Sequence, residues 1–198
     1  MRGLITALRT LTRIPCPGQD ADSLAFALPF FPWIGALIGG LTLIMAMAVR
    51  WVLPFDFLAA VIPVLFLAWL TRGLHLDGLA DTADALGGGQ TIERRLAIMK
   101  DPHVGAFGVI TLIGALLLKI GAFQALIEIS RYDDLFSPSF GHFGLSIALP
   151  FIVSRTVQVW LCVALPYARA TGGTAGPFVA GAQWPHWAFA LAGALCLC

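Results

Sequence analysis

Charged residues are scarce in this sequence. Of its 198 residues, 12 are Lys or Arg and 11 are Asp or Glu, so 12% of the chain is charged, whereas a soluble domain has about 25%. The formal net charge is +1, which excludes the basic surface typical of nucleic-acid binding, and we expect no nucleic-acid partner. The four cysteines show no CxxC spacing, so neither a disulfide framework nor a zinc site is indicated.

Apolar residues dominate instead. They make up 59% of the chain, and the mean hydropathy is +0.86. A membrane helix needs about 20 mainly apolar residues to cross the bilayer. The sequence therefore predicts an all-α fold, a polytopic helical bundle in a lipid bilayer that forms one membrane domain over residues 1–198. About five spans are expected, near residues 30–49, 53–72, 104–127, 145–165 and 183–198.

The distribution of positive charge predicts the orientation of these spans. Lys and Arg collect in the cytoplasmic loops of bacterial inner-membrane proteins. Here they precede the first span, or lie between the second and third or the fourth and fifth, whereas the alternate loops hold only Arg50 and Arg131. We therefore expect a multi-pass protein of the bacterial inner membrane, with its N-terminus and the loop at 73–103 in the cytoplasm. The residues on that side are Arg2, Arg9, Arg13, Arg94, Arg95, Lys100 and Arg169.

The first 17 residues predict an amphipathic helix at the membrane interface. Leu4, Leu8 and Leu11 share one helical face, and Arg residues occupy another, which is typical of interfacial helices. The alternative is a disordered, positively charged tail.

The chemistry is predicted to lie in the polar segment at 73–103. Asp77, Asp81 and Asp84 are spaced i, i+4, i+7, which places three carboxylates on one face of a helix. Three like charges repel unless a cation neutralises them, and Mg²⁺ prefers carboxylate oxygens together with substrate phosphates. We therefore expect these aspartates to hold Mg²⁺. The alternative is an ordinary solvated helix face beside the membrane.

Cationic residues follow the acidic helix and match the needs of phosphoryl transfer, in which charge neutralisation is a main contribution. Arg94 and Arg95 either bind phosphate or only enforce the membrane orientation.

Inside the predicted spans, Arg155 is a candidate phosphate partner, because charge within a membrane is costly and usually functional. Lys119 is better explained by snorkelling or by pairing with Glu128. His75 is either a general base or a structural residue. The complete cationic set is Arg94, Arg95, Lys100, His103 and Arg155.

These motifs together resemble those of the cobalamin synthase family, also called adenosylcobinamide-GDP ribazoletransferase. The specific strings are HLDGLADTADAL at 75–86 and MKDPHVGAFG at 99–108. The resemblance extends to TRIPCP at 12–17, FPWIGALIGG at 31–40, Ser154-Arg155 and Tyr167-Ala168-Arg169. It therefore covers most of the chain, in order.

The resemblance implies a Mg²⁺-dependent membrane transferase of late cobalamin biosynthesis. Such enzymes join adenosylcobinamide-GDP to α-ribazole or its 5′-phosphate and release GMP. On this sequence, the implied metal ligands are Asp77, Asp81 and Asp84, and His75 or one aspartate takes the proton of the ribazole hydroxyl. The implied substrate-binding residues, which neutralise phosphate charge, are Arg94, Arg95, Lys100, His103 and Arg155.

The sequence departs from the family pattern at two places. Pro102-His103 stands where the family commonly shows Ser-Arg, so His103 keeps a cation in weaker form. Family members also continue into a Gly-rich region with a Thr-Gly-Asp-type motif, whereas this sequence stops at Cys198. Three explanations are open: a truncated sequence, a fragment or a naturally short form.

Two other classes of protein compete with the transferase. A CDP-alcohol phosphotransferase also places aspartates around a metal, but its pattern needs Arg where this chain has Asp81. A cation-coupled secondary transporter would use the acids for its coupling ion. Transporters place such groups near the bilayer midplane and often in repeated halves, and no repeat is evident here.

Overall fold

A computed structural model describes residues 1–53, 55–129, 138–169 and 172–197. Within these ranges all regular structure is helical, as the composition predicts. A 3-10 helix at Leu24–Phe30 precedes the second α-helix. The α-helices are α1 (Arg2–Leu11), α2 (Phe31–Val52), α3 (Asp56–Leu70), α4 (Leu74–Gly88), α5 (Ile92–Ile98), α6 (Ala106–Ile129), α7 (Pro138–Ala164), α8 (Gly176–Ala180) and α9 (Trp184–Leu197).

Three stretches are long and apolar enough to cross a membrane: Leu24–Val52, Ala106–Glu128 and Gly144–Ala164. They correspond to the first, third and fourth predicted spans, so the chain is a multi-pass membrane protein. The second predicted span is α3, which passes the same test only together with α4, from which it is bent by 87°. Counting that pair gives four spans. The fifth prediction coincides with α9, whose 14 described residues are fewer than a span requires. Arg131 and Cys198 lie outside the described residues.

Two glycines of α2 allow it to pack very closely against α7. A Cβ atom built on Gly35 would lie 2.6 Å from the carbonyl oxygen of Phe151, and one on Gly39 would lie 2.7 Å from Cα of Ala148. Small residues four apart are typical of helix pairs in membranes, where van der Waals packing rather than water exclusion holds helices together. The α2–α7 pair is therefore the close-packed centre of the bundle. Helices α3 and α9 pack against this pair, and α6 packs against α3.

The N-terminal helix forms as predicted, but its arginines contact protein. Arg9 donates to the carbonyl oxygens of Cys16 and Gly18 and pairs with Asp20 at 3.1 Å. Leu11 is buried in the core that α1 shares with the 3-10 helix and α2. A helix tied to the bundle in this way has a fixed position, whereas its depth at the membrane interface remains a prediction.

The sharp bend between α3 and α4 positions the polar segment. Arg72 and Gly73 both have left-handed backbone conformations, with φ of 56° and 68°. Helical residues need negative φ, so this pair ends α3 and starts α4 in a new direction. After the 87° bend, α4 packs against α6. The acidic helix therefore lies across the bundle where α3 ends and α6 begins.

Candidate functional site

The three predicted aspartates share one helix, as their spacing indicates. All of them lie within α4. Asp77 is exposed, whereas Asp81 and Asp84 are half-buried. The charges of Asp77 and Asp84 both act on Asp81, and the positive charge of Arg169 partly offsets them. The acids are therefore electrostatic neighbours, but their surroundings differ.

Asp84 binds the first turn of α6. Its Oδ2 accepts a hydrogen bond from the backbone N–H of Gly105 at 2.7 Å, and its Oδ1 accepts one from Gly108 at 2.8 Å. The first N–H groups of a helix have no partner within the helix, and a carboxylate there also opposes the positive end of the helix dipole. A Cβ atom on either glycine would collide with this carboxylate. Asp84 therefore caps α6 from a different helix.

Asp77 and Asp81 remain the acids best suited to a metal ion. Among the residues that the structure describes, no three His, Cys, Asp or Glu side chains converge into a metal site, and backbone donors hold both oxygens of Asp84. Two carboxylates one turn apart nevertheless fit Mg²⁺, which is usually held by one or two carboxylates plus substrate phosphates. The magnesium site stays a prediction, with Asp77 and Asp81 as its donor pair.

The predicted cations of the loop after α4 divide into exposed and structural groups. Arg94 and Lys100 are exposed and available to a substrate. Arg95 is half-buried, and its Nε donates to the carbonyl oxygen of Gly89 at 2.9 Å. That hydrogen bond closes the turn between α4 and α5, so Arg95 shapes the loop in this conformation.

His103 is engaged by a neighbouring acid. Its backbone N–H donates to Oδ1 of Asp101 at 2.9 Å, and its ring Nδ1 lies 2.6 Å from the same oxygen. These hydrogen bonds, the backbone one first, hold the pKa of Asp101 below its usual range. The carboxylate is therefore ionised at neutral pH and offsets the positive charge of a protonated His103.

His75 and Arg155 belong to a different place. Both line a cavity among α3, α6 and α7 that the acidic residues do not line. The amide Nε2 of Gln158 donates to Nε2 of His75 at 3.0 Å, which fixes the imidazole at the start of α4. The structure thus divides the predicted site residues between an acidic face at the end of the bundle and a cationic cavity beneath it.

Two neighbouring residues were missed by the sequence analysis as site residues. Arg169 donates to the carbonyl oxygen of Met99 at 3.2 Å while its charge acts on Asp81. It had been assigned only to membrane orientation and to a motif, although its place in that motif was the available signal. Gln158 follows Arg155 by less than one helical turn, but nothing in the sequence ties it to His75, 83 residues away.

Comparison with known proteins agrees with the motifs. The family model of cobalamin-5-phosphate synthase matches residues 3–198. Proteins named adenosylcobinamide-GDP ribazoletransferase are similar over most of the chain. The one from Chlorobaculum tepidum is 47% identical over 189 residues, which are 94% of this chain and 68% of that protein. The one from Syntrophobacter fumaroxidans is 37% identical over 180 residues, covering 89% and 67%.

No solved structure matches the chain. The family match runs from residue 3 to residue 198, so it includes both the acidic helix and the cationic cavity. The resemblance inferred from the motifs is thereby confirmed. This chain belongs to the cobalamin-5-phosphate synthase family.

Proposed function

We propose that this protein transfers the adenosylcobinamide phosphate part of adenosylcobinamide-GDP to α-ribazole or its 5′-phosphate. A hydroxyl oxygen of the ribazole forms a bond to the phosphorus nearest the cobinamide. The bond from that phosphorus to the bridging oxygen breaks, GMP leaves, and the hydroxyl proton passes to a base. Relatives of which this chain covers two thirds or more carry the name of this activity. The CDP-alcohol and transporter alternatives have no comparable support.

The observation that carries the proposal is the acidic face of α4 beside exposed cations. Asp77 and Asp81 lie one turn apart, and Arg94 and Lys100 in the following segment are exposed. Arg169 brings a further positive charge to Asp81. Diphosphate transfer needs both signs of charge, because cations neutralise the phosphate oxygens while carboxylates hold a divalent metal.

Mg²⁺ is part of this proposal, with Asp77 and Asp81 as its ligands. When bound, it would neutralise diphosphate oxygens and favour departure of the GMP group. The chain's own residues do the rest: Arg94 and Lys100 bind the charged donor, and Asp84 holds α4 against α6 so that the two ligands keep their place.

Two residues are candidates for accepting the hydroxyl proton. His75 lies at the junction of the acidic helix and the cavity. Its Nε2 already accepts a hydrogen bond from Gln158, so the substrate hydroxyl has to replace that partner. Asp77 is exposed and lies two residues further along α4.

We further propose that the acidic face lies on the cytoplasmic side of the bacterial inner membrane. Lys and Arg on that side are expected from the positive-inside rule. Arg94, Lys100 and Arg169 all belong to segments next to α4. The test uses a Lys100→Cys variant in which the four native cysteines are replaced by Ala. Labelling by an impermeant maleimide in inverted vesicles, but not in right-side-out vesicles, is the expected result. The reverse pattern would overturn the orientation.

The test of the activity is GMP release by the full chain in detergent. The mixture contains adenosylcobinamide-GDP, α-ribazole 5′-phosphate and Mg²⁺, and EDTA is added to a parallel sample. We expect GMP and a cobalamin product with metal and neither with EDTA. Asp77→Asn should lower kcat by at least about 100-fold, because it removes a carboxylate ligand of the metal, whose neutralisation of the transferring phosphate is worth several kcal/mol.

The matched control is Asp22→Asn, which removes an exposed carboxylate paired with Arg2 at 3.2 Å and far along the chain from α4. It should keep the activity of the unaltered chain. The similar protein from Chlorobaculum tepidum serves as the positive control for the assay. Turnover by that protein and none by this chain would contradict the proposed activity, and full turnover in EDTA would contradict the metal.

A further inference from the structure

The cavity among α3, α6 and α7 is lined mainly by apolar side chains, and it has a volume of about 400 Å³. It lies within the membrane-crossing part of the bundle and extends to the first turn of α4. Three hydroxyl groups line it, from Thr71, Ser146 and Ser154. Its remaining polar groups are those of His75, Lys119 and Arg155, and none of its lining residues is acidic.

Arg155 is the most deeply buried of these groups. Its exposed fraction is 5%. Its Nη1 donates to Oγ of Ser154 at 3.1 Å, whereas its Nε has no hydrogen-bond partner in the described part of the chain. A buried guanidinium costs several kcal/mol unless it is paired and hydrogen-bonded. Within the described residues, the cavity therefore holds an arginine whose hydrogen-bonding capacity is not fully satisfied.

Lys119 brings a second positive charge to the same cavity. It lies near the middle of the span formed by α6, and its charge and that of Arg155 act on each other. The pairing with Glu128 considered from the sequence is not seen among the described residues, where Glu128 instead accepts a hydrogen bond from Gln124 at 3.4 Å. Two cations that line one cavity within a membrane, with no acid among the described lining residues, favour binding of an anion from outside the chain.

The size and lining of the cavity limit what that anion is attached to. A volume of about 400 Å³ is in the range of sites for small organic ligands, roughly 300–1,000 Å³. Inorganic phosphate would leave the aliphatic and aromatic walls, such as Leu116 and Phe123, without contacts. Guanidinium and ammonium groups together suit a phosphate, which arginine binds through its planar fork.

We propose that this cavity binds the phosphate of a molecule with an apolar body, held by Arg155 and Lys119. Two sources have this chemistry. One is a phospholipid of the surrounding bilayer, whose acyl chains would extend between the spans. The other is the aromatic nucleotide acceptor of the transfer reaction, and this source rests on the function proposed above. With either ligand, His75 in the first turn of α4 lines the same cavity as Arg155 and Lys119.

Equilibrium binding without any donor tests the proposal. Isothermal titration calorimetry in phosphate-free, non-ionic detergent compares α-ribazole 5′-phosphate with α-ribazole. The phosphate should tighten binding by at least about tenfold, since it adds hydrogen bonds between charged groups. Lys119→Gln and Arg155→Gln should each remove most of that difference. Arg13→Gln, which removes a cation that packs 5.8 Å from the Trp69 ring outside the cavity, should keep it.

A second arm tests the lipid source. Delipidated protein receives phosphatidylglycerol or diacylglycerol with the same acyl chains, and native mass spectrometry counts the bound molecules. If a lipid fills the cavity, phosphatidylglycerol remains bound to the unaltered chain and to Arg13→Gln but is lost from Lys119→Gln. Lys119 is accessible, so this variant decides the matter even if Arg155→Gln does not fold.

The proposal is overturned if α-ribazole 5′-phosphate and phosphatidylglycerol each bind equally well to the unaltered chain and to Lys119→Gln. GMP release is not measured in either arm. Loss of activity with phosphate-selective binding intact would therefore refute the proposed function alone. Normal GMP release with no phosphate-selective binding by the cavity would refute only the present inference.

Discussion

The carboxylate of Asp84 is expected to stabilise the fold rather than to bind metal, and Asp84→Asn tests this. The amide oxygen of Asn can replace one acceptor, but its NH₂ group would face the second N–H donor. The variant therefore loses at least one of the hydrogen bonds of 2.7 and 2.8 Å together with the charge at the start of α6. A hydrogen bond to a charged group is worth about 1.5–3 kcal/mol. Because the site is partly exposed, we expect a loss of about 2 kcal/mol.

Thermal unfolding in one detergent measures this loss. For a domain of this size, about 2 kcal/mol corresponds to a decrease in Tm of roughly 4–8 °C. Hydrogen exchange at the amides of Gly105 and Gly108 should become faster in the variant, since these are the donors that lose their acceptor. The matched control is Asp77→Asn on the same helix. Its carboxylate is exposed and makes no side-chain hydrogen bond within the described residues, so its stability should change by less than about 0.5 kcal/mol.

Equal Tm values for the two variants, with unchanged exchange at both glycines, would refute the capping role of Asp84. Asp84 would then return to the magnesium site as a third ligand. The comparison therefore assigns each carboxylate to structure or to chemistry, independently of whether the transfer reaction has been reconstituted.

Three further predictions concern packing, backbone and charge. Gly39→Ala places a Cβ 2.7 Å from α7 backbone and should lower stability by about 1–3 kcal/mol, whereas Gly40→Ala, with nothing within 4 Å, should be neutral or slightly stabilising in the same unfolding assay. Gly73→Ala keeps a residue at φ 68° and should cost about 1 kcal/mol; an unchanged Tm would argue against the bend. Arg169→Gln removes the positive charge that acts on Asp81, so the KM for the donor should rise several-fold while less Mg²⁺ is needed for half-maximal activity. Steady-state kinetics in which neither constant moves would show that Arg169 has no part in the site.

The acidic helix could be predicted because the information is local. Spacing of i, i+4, i+7 places Asp77, Asp81 and Asp84 on one face of any helix, and the glycines at 87–89 mark its end. The long apolar runs likewise predict the spans of α6 and α7, since the thickness of the bilayer sets the length required.

The different roles of these acids could not be predicted, because they depend on contacts between distant segments. Asp84 accepts a hydrogen bond from Gly105, which is 21 residues away in the sequence. Asp77 on the same helix accepts no such hydrogen bond within the described residues. Arg155 shows the same difficulty. A charge in an apolar run indicates a partner, but only the packing of α3, α6 and α7 reveals that its Nε has no hydrogen-bond partner among the described residues.

The short length of α3 has a consequence for the lipid around the protein. Its 15 residues extend about 22 Å along the helix axis, compared with a hydrocarbon core of about 30 Å. Leu65 and Trp69 are more than half exposed, so this helix faces acyl chains directly. A helix shorter than the hydrocarbon core is accommodated by local thinning of the bilayer, by snorkelling side chains or by oligomerisation, each at a modest cost per ångström of hydrophobic mismatch. Lipids with shorter acyl chains reduce that mismatch, so we expect acyl-chain length to affect the stability of the bent α3–α4 pair.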